Sequence, residues 1–466
     1  MLFDTTICAP ACPPGGALSI IRISGNDTFR VCKDLIRIPG QIIPLAELNA
    51  NSIYAAWIND DNAPLDQVMV SIFRAPHSYT GEDSIEISCH GSPYIQKRIL
   101  ELLVKNGASL AKPGEFTQRA FLNGKMDLTQ AEAVADLIAS ETQTAHRIAL
   151  NQMRGGISKD FKILRERLVH LTSLIELELD FSEEDVEFAK RDDLRKIVIE
   201  ILDKAKNVYT SFETGNAIRN GVPVAIIGKP NVGKSTLLNR LVNDERAIVS
   251  EIAGTTRDTV EDTIIINGIM FRFIDTAGLR ETADIIENIG IRKTYQKISM
   301  ATVVLLLLDA RDELSCITGS VEEIRKQIKD QNKYLFLIIN KSDLVTGKKI
   351  NAIKKLLTTA NNEFILPVSA ATSYNLDKLI SLLTSLLIHD QLTEDKTIIS
   401  NIRHQEALKE TMQHLNRVLK GLEEGLPEDL IAHDLRQAVY YLGTITGEVN
   451  TEEILDNIFK NFCIGK

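Results

Sequence analysis

The sequence predicts an α/β plus all-α protein. An N-terminal α/β domain is followed by a helical domain built from two flanking segments, with a second α/β domain inserted between them; two separate helical domains are the alternative. Three observations predict it. The run Gly228-Lys229-Pro230-Asn231-Val232-Gly233-Lys234-Ser235 sits between an apolar stretch, Val222–Ile227, and a helix-forming stretch, Thr236–Val242. Apolar residues recur at helical spacing on both sides of that region. Residues 1–120 instead mix short β-like runs with helical stretches.

Taken in order, Ala17–Ile23, Val68–Phe73 and Ser84–Ser88 read as strands and Tyr94–Asn106 as a helix, giving a compact α/β domain over residues 1–120. From Thr129 the pattern turns helical. Thr129-Gln130-Ala131-Glu132 has the form of a capping box. Phe161, Leu164, Leu168, Leu171 and Ile175 share one helical face, as do Leu194, Ile197, Ile201, Ala205 and Val208. This first helical segment spans residues 121–215, and the inserted domain spans 216–388. Helical pattern returns over 389–466, with one stretch from Arg403 to Leu422 and another that Pro427-Glu428-Asp429 opens, running to Leu442.

The inserted domain carries the chemistry. A Gly-x-x-x-x-Gly-Lys-Ser loop between strand and helix turns successive backbone N–H groups toward phosphate. Asn231, Val232, Gly233, Lys234, Ser235 and Thr236 are its candidate contacts. Lys234 reaches the outer phosphates and the Ser235 hydroxyl suits magnesium. Asn267-Gly268 is a hairpin signal, and the strand after it, Ile269–Ile274, delivers Asp275-Thr276-Ala277-Gly278. Tyr334–Ile339 delivers Asn340-Lys341-Ser342-Asp343. A carboxylate at Asp343 accepts two hydrogen bonds from guanine, which adenine cannot donate. Phe364–Val368 leads into Ser369-Ala370, where a backbone amide can meet the guanine oxygen. Such segments in this order, each at a strand's C-terminal end, place GTP at the ligand edge of an open sheet. The inserted domain is therefore expected to be a Ras-like P-loop GTPase domain.

Leu279 stands where Ras-like GTPases use glutamine to orient water. Another group must then do so, and Glu281 and Glu287 are candidates. The alternative is that both are solvated charges on a switch loop. The segment Ser250-Glu251-Ile252-Ala253-Gly254-Thr255-Thr256 is the expected first switch, with Thr256 completing the magnesium shell. Asn231 either supports the loop's turn or holds a monovalent cation in place of an arginine finger.

Composition sets the bounds. The chain has 466 residues, 44% apolar and 25% charged, as in ordinary globular proteins. A net charge of −10 argues against strong non-specific binding to nucleic acid. The longest apolar run, Val303–Leu308, is too short to span a bilayer. Neither a signal peptide nor a disulfide or zinc framework is expected from Met1-Leu2-Phe3-Asp4 and the scattered cysteines. These features predict a cytoplasmic protein with no membrane partner.

Ile252-Ala253-Gly254-Thr255-Thr256-Arg257-Asp258, with the phosphate loop and Asp275-Thr276-Ala277-Gly278-Leu279-Arg280, is shared by several bacterial GTPases. The flanks are more specific. The run from Pro113-Gly114-Glu115-Phe116 to Asn123-Gly124-Lys125-Met126-Asp127-Leu128 resembles the MnmE (TrmE) family of tRNA-modification GTPases. So do Ile21-Arg22-Ile23-Ser24-Gly25, Tyr79-Thr80-Gly81-Glu82-Asp83 and Phe462-Cys463-Ile464-Gly465-Lys466.

The resemblance covers essentially the whole chain. It implies a homodimer joined through N-terminal domains that bind 5-formyltetrahydrofolate or a related one-carbon folate. Arg22, Glu82, Lys125 and Lys466 are then the folate contacts. Read without the resemblance, Arg22 looks like an edge-strand solubility residue. The resemblance also implies pairing of GTP-binding domains, with K+ held by Asn231, Ser250, Ile252 and Thr255 and Mg2+ by Ser235 and Thr256. Glu287 becomes the water-orienting carboxylate, and Lys234 is a second catalytic residue. Cys463 is a catalytic candidate near the reacting uridine. The implied partners are tRNA and the flavoprotein MnmG (GidA), in a heterotetramer. Together they install an aminomethyl or carboxymethylaminomethyl group at carbon 5 of the wobble uridine. Three rival readings are a ribosome-assembly GTPase switch, a GTPase lipid-anchored through Cys463-Ile464-Gly465-Lys466, whose last residues fit a prenylation signal poorly, and a GTPase that regulates another protein through its helical domain.

Overall fold

The computed structural model describes residues 5–13, 15–40, 43–60, 63–180, 191–243, 247–249, 262–274, 298–328, 333–360, 362–388, 398–460 and 462–465. The chain forms two compact units. One comprises residues 1–139, 149–202 and 407–466, the other 140–148 and 203–406.

The first unit holds a sheet of β1 (Ile7–Pro10), β2 (Leu18–Ser24), β3 (Ile36–Arg37), β4 (Ser52–Asp60), β5 (Ala63–Phe73), β6 (Ser84–His90) and β7 (Ser109–Leu110). Among the described residues its order is β3-β4-β5-β6-β2-β1-β7. All pairs are antiparallel except β1 with β7. Alternation along β2 and β6 buries Ile21, Ile23, Ile85 and Ile87 on one face. The helix Pro93–Lys105 covers that face with Ile99, Leu102 and Leu103. Because β2 lies between β6 and β1, Arg22 is on an interior strand. The edge-strand reading of Arg22 is thereby corrected.

The same unit contains helices from both ends of the sequence. Gly156–Asp180 packs against Glu428–Thr446. Phe161, Leu164, Leu168, Leu171 and Ile175 are all buried, as their spacing predicts. In Arg191–Thr210 the buried face runs through Leu194, Val198, Ile201 and Ala205. Ile197 and Val208 are only half-buried, since a 3.6-residue period brings Val198 inward. The expected capping box is displaced by two residues. The helix begins at Leu128, and Asp127 Oδ1 accepts from Gln130 N at 2.9 Å while Gln130 Oε1 accepts from Asp127 N at 3.0 Å. An aspartate caps as well as threonine does, and it stands first in the chain.

The second unit holds β8 (Val222–Ile227), β9 (Ala247–Val249), β10 (Asp262–Ile266), β11 (Ile269–Phe273), β12 (Val303–Asp309), β13 (Tyr334–Asn340) and β14 (Glu363–Pro367). Their order among the described residues is β14-β13-β12-β8-β11-β10-β9, and the run from β14 to β11 is parallel. A parallel sheet is covered on both faces, so β12 is buried along its whole length. Leu237 and Leu379 lie in the core on one face, Ile317, Val321 and Ile353 on the other. Asn267 and Gly268, at φ 51° and 77°, turn β10 into β11 as the two-residue hairpin requires. The protein is thus α/β plus all-α. Among the described residues no helix is long and apolar enough to cross a membrane.

The cap has a measurable consequence. Asp127→Ala should destabilise the first unit by about 1 kcal/mol, read as a lower midpoint of urea unfolding followed by circular dichroism. An unchanged midpoint would mean the reciprocal Asp127–Gln130 bonds contribute nothing net.

Candidate functional site

The phosphate loop connects β8 to the helix Lys234–Val242. Gly233 caps that helix at φ 105°, and a Cβ there would run into Asn340 Nδ2. Only glycine permits both the angle and the approach. Asn231 takes a left-handed φ of 60°, which asparagine tolerates better than most residues.

Two neighbouring strands shape the loop. Asn340, buried at the end of β13, donates from Nδ2 to Val232 O at 2.7 Å and accepts from Ala370 N at 3.0 Å. Lys341 Nζ donates to Asn231 O at 2.7 Å. Consecutive carbonyls of the loop are therefore both drawn toward the β13 side. A trans peptide is planar with N–H opposite C=O. The amides of Val232 and Gly233 consequently face the other way, as a phosphate cradle needs. Lys234 Nζ donates to the carbonyls of Gly228 and Lys229, each at 2.8 Å, bending back over the loop's start.

Asn231, Val232, Lys341, Asn340 and Ala370 are thus joined by direct hydrogen bonds, and Gly233 lies close against Asn340. Ser235 and Thr236 open the helix, with exposed side chains. Asp343 is exposed in the turn Ser342–Leu344. Ser369 N donates to Tyr374 O at 3.2 Å, so an amide bond from Ala370 to a base oxygen would be shared with Asn340. Ser250, Glu251, Ile252, Ala253, Gly254, Thr255, Thr256, Asp275, Thr276, Ala277, Gly278, Glu287 and Lys466 lie outside the described residues.

A second cluster forms in the first unit. Arg22 Nε donates to Glu86 Oε1 at 2.8 Å, and its guanidinium lies 5.3 Å from the Tyr79 ring centroid and 5.6 Å from that of Phe116. Its Nη1 donates to Gly465 O at 3.2 Å. Gly114 N donates to Cys463 O at 3.4 Å, so the chain's last described residues sit beside β2. The Cys463 residue is exposed. Glu82 accepts from Ser24 Oγ at 2.8 Å and from Arg119 Nη1 at 3.2 Å. Lys125 Nζ donates to Pro76 O at 2.8 Å, and its stem passes Gly81. Arg22, Glu82, Lys125 and Cys463 therefore belong to one region of one unit.

Sequence reasoning passed over Arg119, Glu115, Glu86 and Asp309. Arg119 is fully buried between Glu82 and Glu115, the latter at 2.9 Å. Its signal was an arginine inside the otherwise helix-forming run Glu115–Leu122. Asp309 announced itself as a carboxylate ending the apolar run of β12. The guanidinium of Arg311 first, then Lys341, hold its carboxyl well below the usual carboxylate range against the opposing effect of burial. Burial raises the Cys8 thiol to about 12, which leaves it an inert core group.

A phosphate loop and an Asn-Lys-x-Asp segment at the C-terminal edge of one open, mostly parallel sheet define a P-loop GTPase domain. Over residues 6–125 the chain matches the family described as GTP-binding protein TrmE N-terminus, and over 128–463 that described as MnmE helical domain. A tRNA modification GTPase MnmE of Christiangramia forsetii is 48% identical over 478 residues, covering 100% of both chains. That of Flavobacterium psychrophilum is 48% identical, again over 100% of both. The Bacteroides thetaiotaomicron protein of the same name is 47% identical over 99% of each. The chain belongs to the MnmE family of tRNA modification GTPases.

Arg119→Met should lower thermal stability severely. The buried Glu115 and the half-buried Glu82 would lose their shared cation, a loss of about 3 kcal/mol. Differential scanning calorimetry checks it, and a shift of only a degree or two would show that Glu82 and Glu115 reach solvent.

Proposed function

We propose that this protein hydrolyses GTP to drive modification of the wobble uridine in certain tRNAs. With a flavoprotein of the MnmG (GidA) kind it would install an aminomethyl or carboxymethylaminomethyl group at carbon 5, using a one-carbon unit from a formyl-tetrahydrofolate. Membership of the family supports the reading. The observation that carries the GTPase part is Asn340, whose carboxamide ties the phosphate loop to the segment expected to meet guanine. Residues 1–120 would bind folate and join a homodimer. Residues 121–215 and 389–466 would form the helical domain, and 216–388 the GTP-binding domain. A cytoplasmic location accompanies this reading.

Each residue then has a task. The Val232 and Gly233 amides and Lys234 would hold the phosphates, and Asp343 would read guanine. Ser235 at the helix start suits Mg2+, with Thr256 beside it; the ion would neutralise phosphate charge. The Asn231 carbonyl is taken by Lys341, which leaves its exposed carboxamide for K+, together with Ser250, Ile252 and Thr255. That cation would supply the positive charge an arginine finger supplies elsewhere. Glu287 would orient water where Leu279 cannot. Arg22, Glu82 and Lys125, with Lys466, would hold the folate, which carries the one-carbon unit. Cys463 would work near the reacting uridine.

Mass spectrometry of wobble nucleosides in total tRNA tests the reading. Cells lacking the gene should lose aminomethyl-type uridines, and wild type but not Lys234→Ala should restore them. Unchanged tRNA would favour a ribosome-assembly switch instead. GTP hydrolysis should also run at least about tenfold faster in potassium than in sodium at equal ionic strength, as expected when a cation replaces the finger. Asn231→Lys should erase that difference. Equal rates in both salts would remove potassium from the account.

A further inference from the structure

Asp309 belongs to none of the phosphate or base segments, yet it sits where they meet. It ends β12 directly opposite Asn340 on β13. It is buried, and both its oxygens are engaged. Oδ1 accepts from Arg311 N at 2.9 Å and from Arg311 Nε at 3.0 Å. Oδ2 accepts from Arg311 Nη2 and lies 2.8 Å from Lys341 Nζ. That same ammonium donates to Asn231 O in the phosphate loop. Lys341 itself adopts a left-handed φ of 59°, which turns it back across the strand end toward the loop.

We propose that Asp309 is a positioning residue for nucleotide binding, acting through Lys341 on the peptide between Asn231 and Val232. The proposal rests on the GTP-site reading above. The carboxylate fixes the ammonium by charge and direction, and the ammonium fixes the Asn231 carbonyl. Planarity of the peptide then aims the Val232 N–H into the cradle. Lysine's flexible four-carbon stem and three rotatable donors leave its placement open unless a partner fixes it. Arg311 has a different part. Its side chain is about half exposed, and its bidentate grip keeps the carboxylate plane turned so that Oδ2 faces Lys341. The backbone bond from Arg311 N does the same without the side chain.

The test is a double-mutant cycle on the affinity of the full-length protein for a fluorescent GDP, with and without magnesium. Asp309→Asn keeps the volume and removes the charge. It should weaken GDP binding about tenfold, the usual range for losing one charge-assisted bond. Lys341→Met should weaken it at least as much. The double variant should bind like Lys341→Met alone, because the carboxylate has no effect without the ammonium it places. Arg311→Gln should weaken binding less than Asp309→Asn does, since the Arg311 backbone N–H and Lys341 still meet the carboxylate. A general loss of structure cannot produce this pattern, and melting temperatures of all four variants check for it. Independent, additive losses from Asp309→Asn and Lys341→Met would overturn the proposal. So would wild-type affinity in Asp309→Asn. Failure of wild type itself to bind GDP would instead strike the GTP-site reading.

Discussion

The phosphate loop of this protein is held both by its own Lys234, which bonds the Gly228 and Lys229 carbonyls, and by side chains from a neighbouring strand. Its shape depends on where two backbone carbonyls point, those of Asn231 and Val232. Both are drawn by side chains from the end of β13, the ammonium of Lys341 and the carboxamide of Asn340. Asn340 is buried, so its donors and acceptor must be matched or the loss is large. It matches them to the loop on one side and to Ala370 on the other. The cradle and the segment beyond β14 are thus held in one frame. Parallel packing of β8, β12 and β13 makes the frame possible, because it brings their C-terminal ends to one edge.

Charge is handled differently in the two units. Around Arg119, a buried cation is shared by Glu82 and Glu115 and supported by the Thr5 carbonyl. Such a network contributes little net stability but specifies one arrangement, since any partner removed leaves an ion stranded. Arg22 shows the same economy. It is fixed by Glu86, two aromatic rings and a carbonyl from the chain's far end. Gly465 makes that last contact possible, since a side chain there would collide with Pro10 O. The proposed folate region is therefore built jointly by residues more than four hundred positions apart, as the separation of 443 between Arg22 and Gly465 shows.

Much of this was legible in the sequence. Apolar runs predicted β8, β11, β13 and β14 to within a residue or so, because strands of a sheet covered on both faces are mostly apolar, with Arg272 in β11 and Glu363 at the start of the edge strand β14 as the charged exceptions. The phosphate loop and Asn340-Lys341-Ser342-Asp343 were readable because each needs particular residue types at fixed spacing. The capping box was misplaced because Asp127 and Thr129 both satisfy its pattern, and only the helix's actual first turn chooses between them.

The sequence by itself determined the periodicities, the turns and the chemistry each segment offers, since these depend on neighbours a few residues apart. Tertiary structure decided what sequence distance hides. It put Arg22 on an interior strand rather than an edge, and it buried Arg119 as a bridge. It also set Asp309 against Lys341 across adjacent strands. Arg119 with Glu115 is a local i, i+4 pair, but Arg22 with Glu86, Arg119 with Glu82 and Asp309 with Lys341 join charges distant in the chain. No local pattern encodes such pairings, because burial and strand order alone bring the partners within hydrogen-bond reach.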